Sequence, residues 1–236
     1  MDAAGYTTLN RQSGLMREMA VVANNLANAS TTGFRREGVV FSEYVTTLGG
    51  DPSLSMAHAS GRHVDLAQAT LSQTGGSYDF AIQGDGFFLI ETPEGERLTR
   101  AGSFTPSAAG ELVTPDGHRL LDAGGAPVFI PPDARAVAMA SDGTLSSNGQ
   151  PIAQIGLWQP ADPMALRHQS GTLFSADAVE PVENGVVLQG MLEDSNVEPV
   201  SEITRMIQVQ RAYELGQKFL DAEDERVRGV IQALGR

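Results

Sequence analysis

Side chains able to do chemistry are few in this chain and poorly spaced for it. The histidines are His58, His63, His118 and His168. Only His58 and His63 are near one another. Their spacing matches no helical metal pair, and no carboxylate motif accompanies them. Solvated loop histidines are the expectation. Gly84-Asp85-Gly86 opens a glycine-rich loop, but it lacks the third glycine and the following helix of a dinucleotide site. No lysine follows it as in a phosphate-binding loop, so a hairpin turn is expected. There is no G-x-S-x-G elbow to present a serine nucleophile. Asp79, Asp85 and Glu91 flank that turn, and two carboxylates about 5–10 Å apart can cleave a glycosidic bond. A sugar site also wants stacking aromatics, which are only 6% of the residues. Cysteine is absent, which excludes disulfides, thiol catalysis and cysteine-zinc sites. The chain therefore reads as a non-enzyme with no cofactor and no metal.

Composition narrows the partners. The 236 residues carry a net charge of −13, which argues against nucleic acid, whose binding needs a basic face. No run approaches the roughly 18 apolar residues of a membrane span. Met1-Asp2-Ala3-Ala4-Gly5-Tyr6 has neither the basic start nor the apolar run of a signal peptide. The expectation is a chain that does not span a membrane and carries no cleaved signal peptide.

Three regions differ in pattern. Near the start, Leu9, Met16 and Ala23 recur every seven residues, and Ser13, Ala20 and Ala27 form a second row. Leu15, Met19, Val22 and Leu26 widen the stripe. This predicts an amphipathic helix over about 4–28 with a small-residue, coiled-coil-like seam. The middle is punctuated by Pro93-Glu94-Gly95, Pro115-Asp116-Gly117, Gly124-Gly125, Asp142-Gly143, Asn148-Gly149 and Asn184-Gly185. Glycine and asparagine supply the positive φ of tight turns. Between the turns lie short apolar runs such as Phe80-Ala81-Ile82 and Phe87-Phe88-Leu89-Ile90, which predict an all-β module. Residues 46–61 have no periodicity and are expected to be extended or mobile. Ser195-x-x-Glu198 fits a capping box, with Pro199 in the first turn. Ile203, Met206, Ile207, Val209, Tyr213, Leu220, Val227, Ile231 and Leu234 then keep helical spacing to the end. Gly216 is an interior weak point, worth about 1 kcal/mol against alanine. The acidic run Asp221–Glu225 reads as a solvated face or as a charge strip against a neighbouring subunit.

The fold class is thus α+β: long N- and C-terminal helices pairing as a coiled coil, with a central all-β domain between them. The divisions are an assembly helix and turn over 1–34, an extended connection over 35–70, the β domain over 71–192 and the second assembly helix over 193–236. Leu9, Met16, Ala20, Ala23 and Ala27 are expected to pack against Ile203, Ile207, Val227 and Ile231 or their neighbours. A soluble β-rich binding or glycan-acting module, capped by its helices, is the competing class.

Three separated motifs carry a resemblance. "ANNLANASTTGF" resembles the N-terminal signature of bacterial flagellar rod and hook proteins. "DFAIQGDGFFLIETPEG" with "LTRAGSF" is similar to that family's central β segment. "GMLEDSNVEPVSEITRMIQVQRAYELGQKFL" is similar to its C-terminal helix. Within the family, the short start and the "SNVEPVSEITRMI" opening lean toward the proximal rod subunits, with the distal rod subunit as runner-up and the larger hook protein less similar. The resemblance implies a structural, torque-transmitting rod subunit of the basal body. Its terminal helices would line an inner layer, copies of itself and other rod proteins would be its partners, and the flagellar type III apparatus would export it to the periplasmic rod. It also marks assembly residues: Leu9, Met16, Ala20, Ala23, Asn24, Asn25, Leu26, Ala27, Asn28, Thr31, Gly33 and Phe34 in the first region. In the last region these are Ile203, Met206, Ile207, Gln210, Arg211, Tyr213, Leu220, Val227 and Ile231.

The asparagines of the first motif have two readings. Asn28, Ser30 and Thr31 can satisfy the end of the helix and the following turn, with Gly33 reversing the chain. Asn24 and Asn25 can also reach an adjacent subunit and fix register, as a buried polar residue does in coiled coils.

Overall fold

The computed structural model describes residues 3–46, 54–134, 136–183 and 185–234, and for 3, 4, 6, 42–46 and 54–60 the backbone alone. The chain forms two compact units. The first gathers residues 1–27, 37–63 and 198–236; the second gathers 28–36 and 64–197. The stretch read as an extended connection over 35–70 is therefore shared between them.

In the first unit, helix α1 runs Ala3–Ala27 and helix α2 runs Pro199–Leu234. Neither contains an interior proline, and alanine, leucine, glutamate, glutamine and arginine fill much of both. Proline at the first helical position has the φ it needs and forfeits no intrahelical bond. Glu202 in the first turn sits well with the helix dipole. The expected capping box does not form. The Glu198 carbonyl accepts from Glu202 N–H at 3.1 Å, while the Ser195 hydroxyl accepts from Val197 N–H. Ser195 lies too far ahead of the helix to cap it. Between the helices in sequence, Glu37–Thr46 and Leu54–Val64 pair as a two-stranded ribbon. Both flanks of the segment expected to be extended or mobile are thus strand; residues 47–53 lie outside the described residues.

The second unit is β. Strand Phe87–Thr92 is the hub of a nine-stranded sheet and pairs antiparallel with Gly95–Thr99, Arg119–Leu120 and Leu157–Pro160. Its side chains alternate between two cores, as strand geometry requires. Phe88 and Ile90 join Phe80, Ile82, Phe104, Leu112 and Leu145; Phe87 and Leu89 join Leu98, Leu121 and Phe174. That is why the run is apolar at every position: both faces are covered. The turns at Pro93-Glu94-Gly95, Pro115-Asp116-Gly117, Asp142-Gly143 and Asn148-Gly149 each close a hairpin. Asn184 of another expected turn lies outside the described residues.

Gly84-Asp85-Gly86 is not a hairpin. Strand Phe80–Gln83 pairs with Val186–Gln189 in a separate sheet, so this turn carries the chain from one sheet to another. Both glycines have positive φ, +97° and +109°, which side-chain-bearing residues rarely adopt. Asp79 and Glu91 have local partners, Thr74 and Arg119. His63 is not in a loop either: it lies half-buried on the ribbon against Gly38, where a Cβ would collide with its ring.

Candidate functional site

The helices of the first unit lie antiparallel, since α1 positions descend as α2 positions rise along their contacts. Asn25 Nδ2 donates to Glu202 Oε2 at 3.2 Å. Arg205 Nε donates to Glu18 Oε1 at 2.6 Å. Gln12 Nε2 donates to the Tyr213 carbonyl at 2.8 Å. Gln12, Glu18, Asn25 and Glu202 are all buried, beside Val21, Val22 and Val209. The seam within the chain is therefore mixed, with polar groups bonded across it among buried valines. Gly216 is not merely a weak point: a Cβ there would overlap the Gln12 carboxamide, so glycine permits this approach.

The residues expected to pair face outward instead. Leu9 is 52% exposed and Met16 59%, and Ala20, Ala23 and Ala27 are exposed as well. On α2, Ile203, Ile207, Val227 and Ile231 are exposed, as are Gln210 and Arg211. Leu26, Met206, Tyr213 and Leu220 are half-buried, as are Asn24, Asn28 and Thr31. Within one chain the two apolar rows do not meet, because the faces that meet present Gln12, Glu18 and Asn25 to Glu202, Arg205 and the α2 backbone.

Length adds to this exposure. The 36-residue α2 outruns the 25-residue α1 by about 16 Å. Every residue from Asp224 to Leu234 is exposed, including Val227, Val230, Ile231 and Leu234. Arg226 pairs with Glu223 and Arg228 with Asp224 along the same helix; such exposed pairs contribute little. Nearer the middle, Leu15, Leu215 and Phe219 line a groove of about 400 Å³ between the helices. A row of half-exposed aliphatic side chains leaves roughly 1 kcal/mol each to be gained by further burial.

Asn25 is the residue on which sequence reasoning divides. It is fully buried and bonded within its own chain. Its Nδ2 donates to the Glu37 carbonyl at 2.8 Å while its Oδ1 accepts from Glu37 N–H at 3.0 Å. The carboxamide thus mimics a paired strand residue at the root of the ribbon, and adds Glu202 as a third contact. Gly33 and Phe34 are buried too, inside the second unit. Gly33 has φ +72°, its N–H donates to the Glu193 carbonyl at 2.7 Å, and a Cβ would overlap the Ala101 backbone. Phe34 meets the His168 ring edge-on at 5.4 Å. In the turn itself, Thr31 N–H donates to the Asn28 carbonyl and Thr31 Oγ1 to Asn28 Oδ1.

Sequence reasoning missed the charge network beside that turn. Glu193 is buried between two arginines: Arg35 Nη2 lies 2.8 Å from Oε1, and Arg100 Nη1 donates to Oε2 at 3.0 Å. Ala69 N–H also donates to Glu193 Oε1. Arg100 Nη2 donates to the Gly84 carbonyl, and its guanidinium sits 5.2 Å over the Phe87 ring. Burial, and next the charge of Arg35, lower the Arg100 guanidinium to about 10 against the pull of Glu193. It therefore stays charged at neutral pH. The only sequence signal was a run of charges flanking glycine-rich turns, and the partners are distant in the chain.

Among the described residues no group of three or more His, Asp or Glu could hold a metal ion, and no helix is long and apolar enough to cross a membrane. Comparison with known proteins gives a consistent picture. Residues 6–35 match the family described as flagella basal body rod protein. Residues 81–147 match the flagellar hook protein FlgE/F/G D1 domain, and 188–233 the flagellar basal body rod FlgEFG protein C-terminal region. The chain is 39% identical to the flagellar basal-body rod protein FlgF of Caulobacter vibrioides, over 100% of this chain and 99% of the relative. It is 41% identical to FlgF of Mesorhizobium japonicum, over 89% and 88%. Against the basal-body rod protein FlgG of Bacillus subtilis it is 31% identical, over 96% and 97%.

Proposed function

The chain belongs to the flagellar basal-body rod protein family and is a structural rod subunit, and on that premise we propose that its helical unit is the polymerising element. The FlgF proteins of Caulobacter vibrioides and Mesorhizobium japonicum are more similar to the chain than the FlgG of Bacillus subtilis, which favours a place among the proximal rod subunits over the distal rod. The antiparallel helix pair packs with the helices of neighbouring subunits, coiled-coil fashion, in the wall of a hollow rod. Partners are copies of itself and other rod proteins. The flagellar type III apparatus delivers the chain to the periplasmic part of the basal body. Its work is to carry torque and not to catalyse a reaction.

One observation carries this reading: much of the apolar stripe of each helix is exposed, while the seam inside the chain gives part of its buried area to Gln12, Glu18, Asn25 and Glu202. Leu9, Met16, Ile203, Ile207, Val227 and Ile231 are surfaces awaiting neighbours. The test replaces Val227, Ile231 and Leu234 with serine in a strain lacking its own copy. The purified variant keeps the wild-type circular dichroism, and the cells make no rods and do not swim. Normal rods from the triple variant would overturn the proposal.

A further inference from the structure

The chain passes between its two units four times, at 27/28, 36/37, 63/64 and 197/198. In a rod subunit any load moving from one unit to the other must cross these covalent links. Four independent links, each fixed only by its own strand, would let the exits shift separately. The second unit instead binds three of the exits to one another, and one side chain does most of it.

Asn196 lies just before the last crossing. Its Oδ1 accepts from Arg36 N–H at 2.6 Å, at the second crossing. Its Nδ2 donates to the carbonyls of Asp65 and Ala67, both at 3.0 Å, just after the third crossing. Its own N–H donates to the Phe34 carbonyl at 3.4 Å. Asp65 N–H closes the circle by donating to the Arg36 carbonyl at 2.8 Å. The Ala67 carbonyl accepts a second bond, from Arg35 Nη1 at 2.8 Å, which joins this circle to the buried Arg35–Glu193–Arg100 network. An asparagine carboxamide is the smallest planar group offering an acceptor and two donors, and here all three are used on backbone groups of two other segments.

We infer that Asn196 is a positioning residue: it clamps the exits at residues 36, 65 and 196 at fixed spacing so that they carry load as one body. It acts through the backbone and touches no partner, and its role in assembly rests on the rod reading above. Loss of the clamp leaves the cores of the second unit intact, because Asn196 belongs to neither of them.

The test uses the full chain with Asn196→Ala and Asn196→Asp, read by residue-resolved hydrogen exchange and by swimming of the complemented strain. In Asn196→Ala the amides of Arg36 and Asp65 exchange about tenfold to a hundredfold faster, as expected for losing two to three bonds of this kind. The amides of Leu89 and Leu98 in the central hairpin do not change. Asn196→Asp keeps the acceptor and sets a carboxylate against two carbonyls, so Arg36 stays protected and Asp65 does not. Swimming falls in both while the purified variants remain folded. Unchanged protection in both variants overturns the clamp. Faster exchange spread evenly over the second unit also overturns it, since Asn196 would then be an ordinary stabilising residue. Local loss of protection with full swimming overturns the positioning role and leaves the rod reading standing, which the Val227, Ile231 and Leu234 variant tests separately.

Discussion

The two units invert each other's chemistry. The β unit hides most of its large apolar side chains in two cores, and its hairpins are closed by glycines at positive φ. The helical unit buries Gln12, Glu18, Asn25 and Glu202 and exposes Leu9, Met16, Ile203, Ile207 and Ile231. A unit built like the first kind is complete alone, because apolar burial is its main stabilisation. A unit built like the second is held in part by polar contacts and leaves apolar side chains unburied. One chain thus holds a finished module and an unfinished one.

The sharpest way to probe that contrast is to attack the finished module at its charged point. Glu193→Gln leaves Arg35 and Arg100 buried without their counter-charge, and the β unit should lose about 3–5 kcal/mol, measured by urea unfolding. Gly33→Ala should cost about 2–4 kcal/mol, because the residue needs positive φ and a Cβ meets the Ala101 backbone. It is measured the same way, and a neutral result would show that the turn yields. Asn25→Leu removes three hydrogen bonds from the helical unit and should loosen it by about 2 kcal/mol. Circular dichroism at 222 nm reports the loss on heating, while the melting of the β unit holds. A fall in both transitions would break the claim that the modules are independent. Ile203→Ser with Ile207→Ser should change the stability of the dilute monomer by less than about 0.5 kcal/mol, yet abolish rod formation; a lower monomer melting temperature would show that these residues are packed inside the chain. The smallest effect belongs to Asp142, whose carboxylate is held below its usual value by the Thr144 N–H. A depressed carboxylate stabilises above its unfolded value and loses that contribution as pH falls through the folded one. Asp142→Asn should therefore be slightly less stable at pH 7, with the difference closing below about pH 3.8, the ordinary value.

Much of the fold was legible in the sequence. Both helices and most hairpins follow from 3.6-residue spacing and from glycine and asparagine at turns. Gly84-Asp85-Gly86 misled because a turn between sheets uses the same residues as a turn within one; only strand pairing distinguishes them. The helix seam misled for a different reason. Hydrophobic periodicity assigns the whole apolar row to the inside, and here Val22 and Val209 go in while Leu9, Met16, Ile203 and Ile207 stay on the surface and Gln12, Glu18, Asn25 and Glu202 share the seam. Asn25 bonds Glu37 and Glu202 of its own chain, partners that the sequence did not show, since a carboxamide's bonding capacity does not say which backbone it meets. Arg35, Glu193, Arg100 and Asn196 were not legible at all, being brought together from segments up to 160 residues apart.

The seam of the helical unit has a consequence in time. Gln12 and Tyr213 are 201 positions apart, and Asn25 and Glu202 are 177 apart. Contacts of such long range form slowly, because the intervening chain must first be ordered or looped. The intervening residues include the whole β unit, which can fold on its own local hairpins. For a chain that emerges N-terminus first, α1 must wait without its partner until the last thirty or so residues arrive. The helix pair is then the last part of the fold to form, after the β unit that lies between the two helices in sequence.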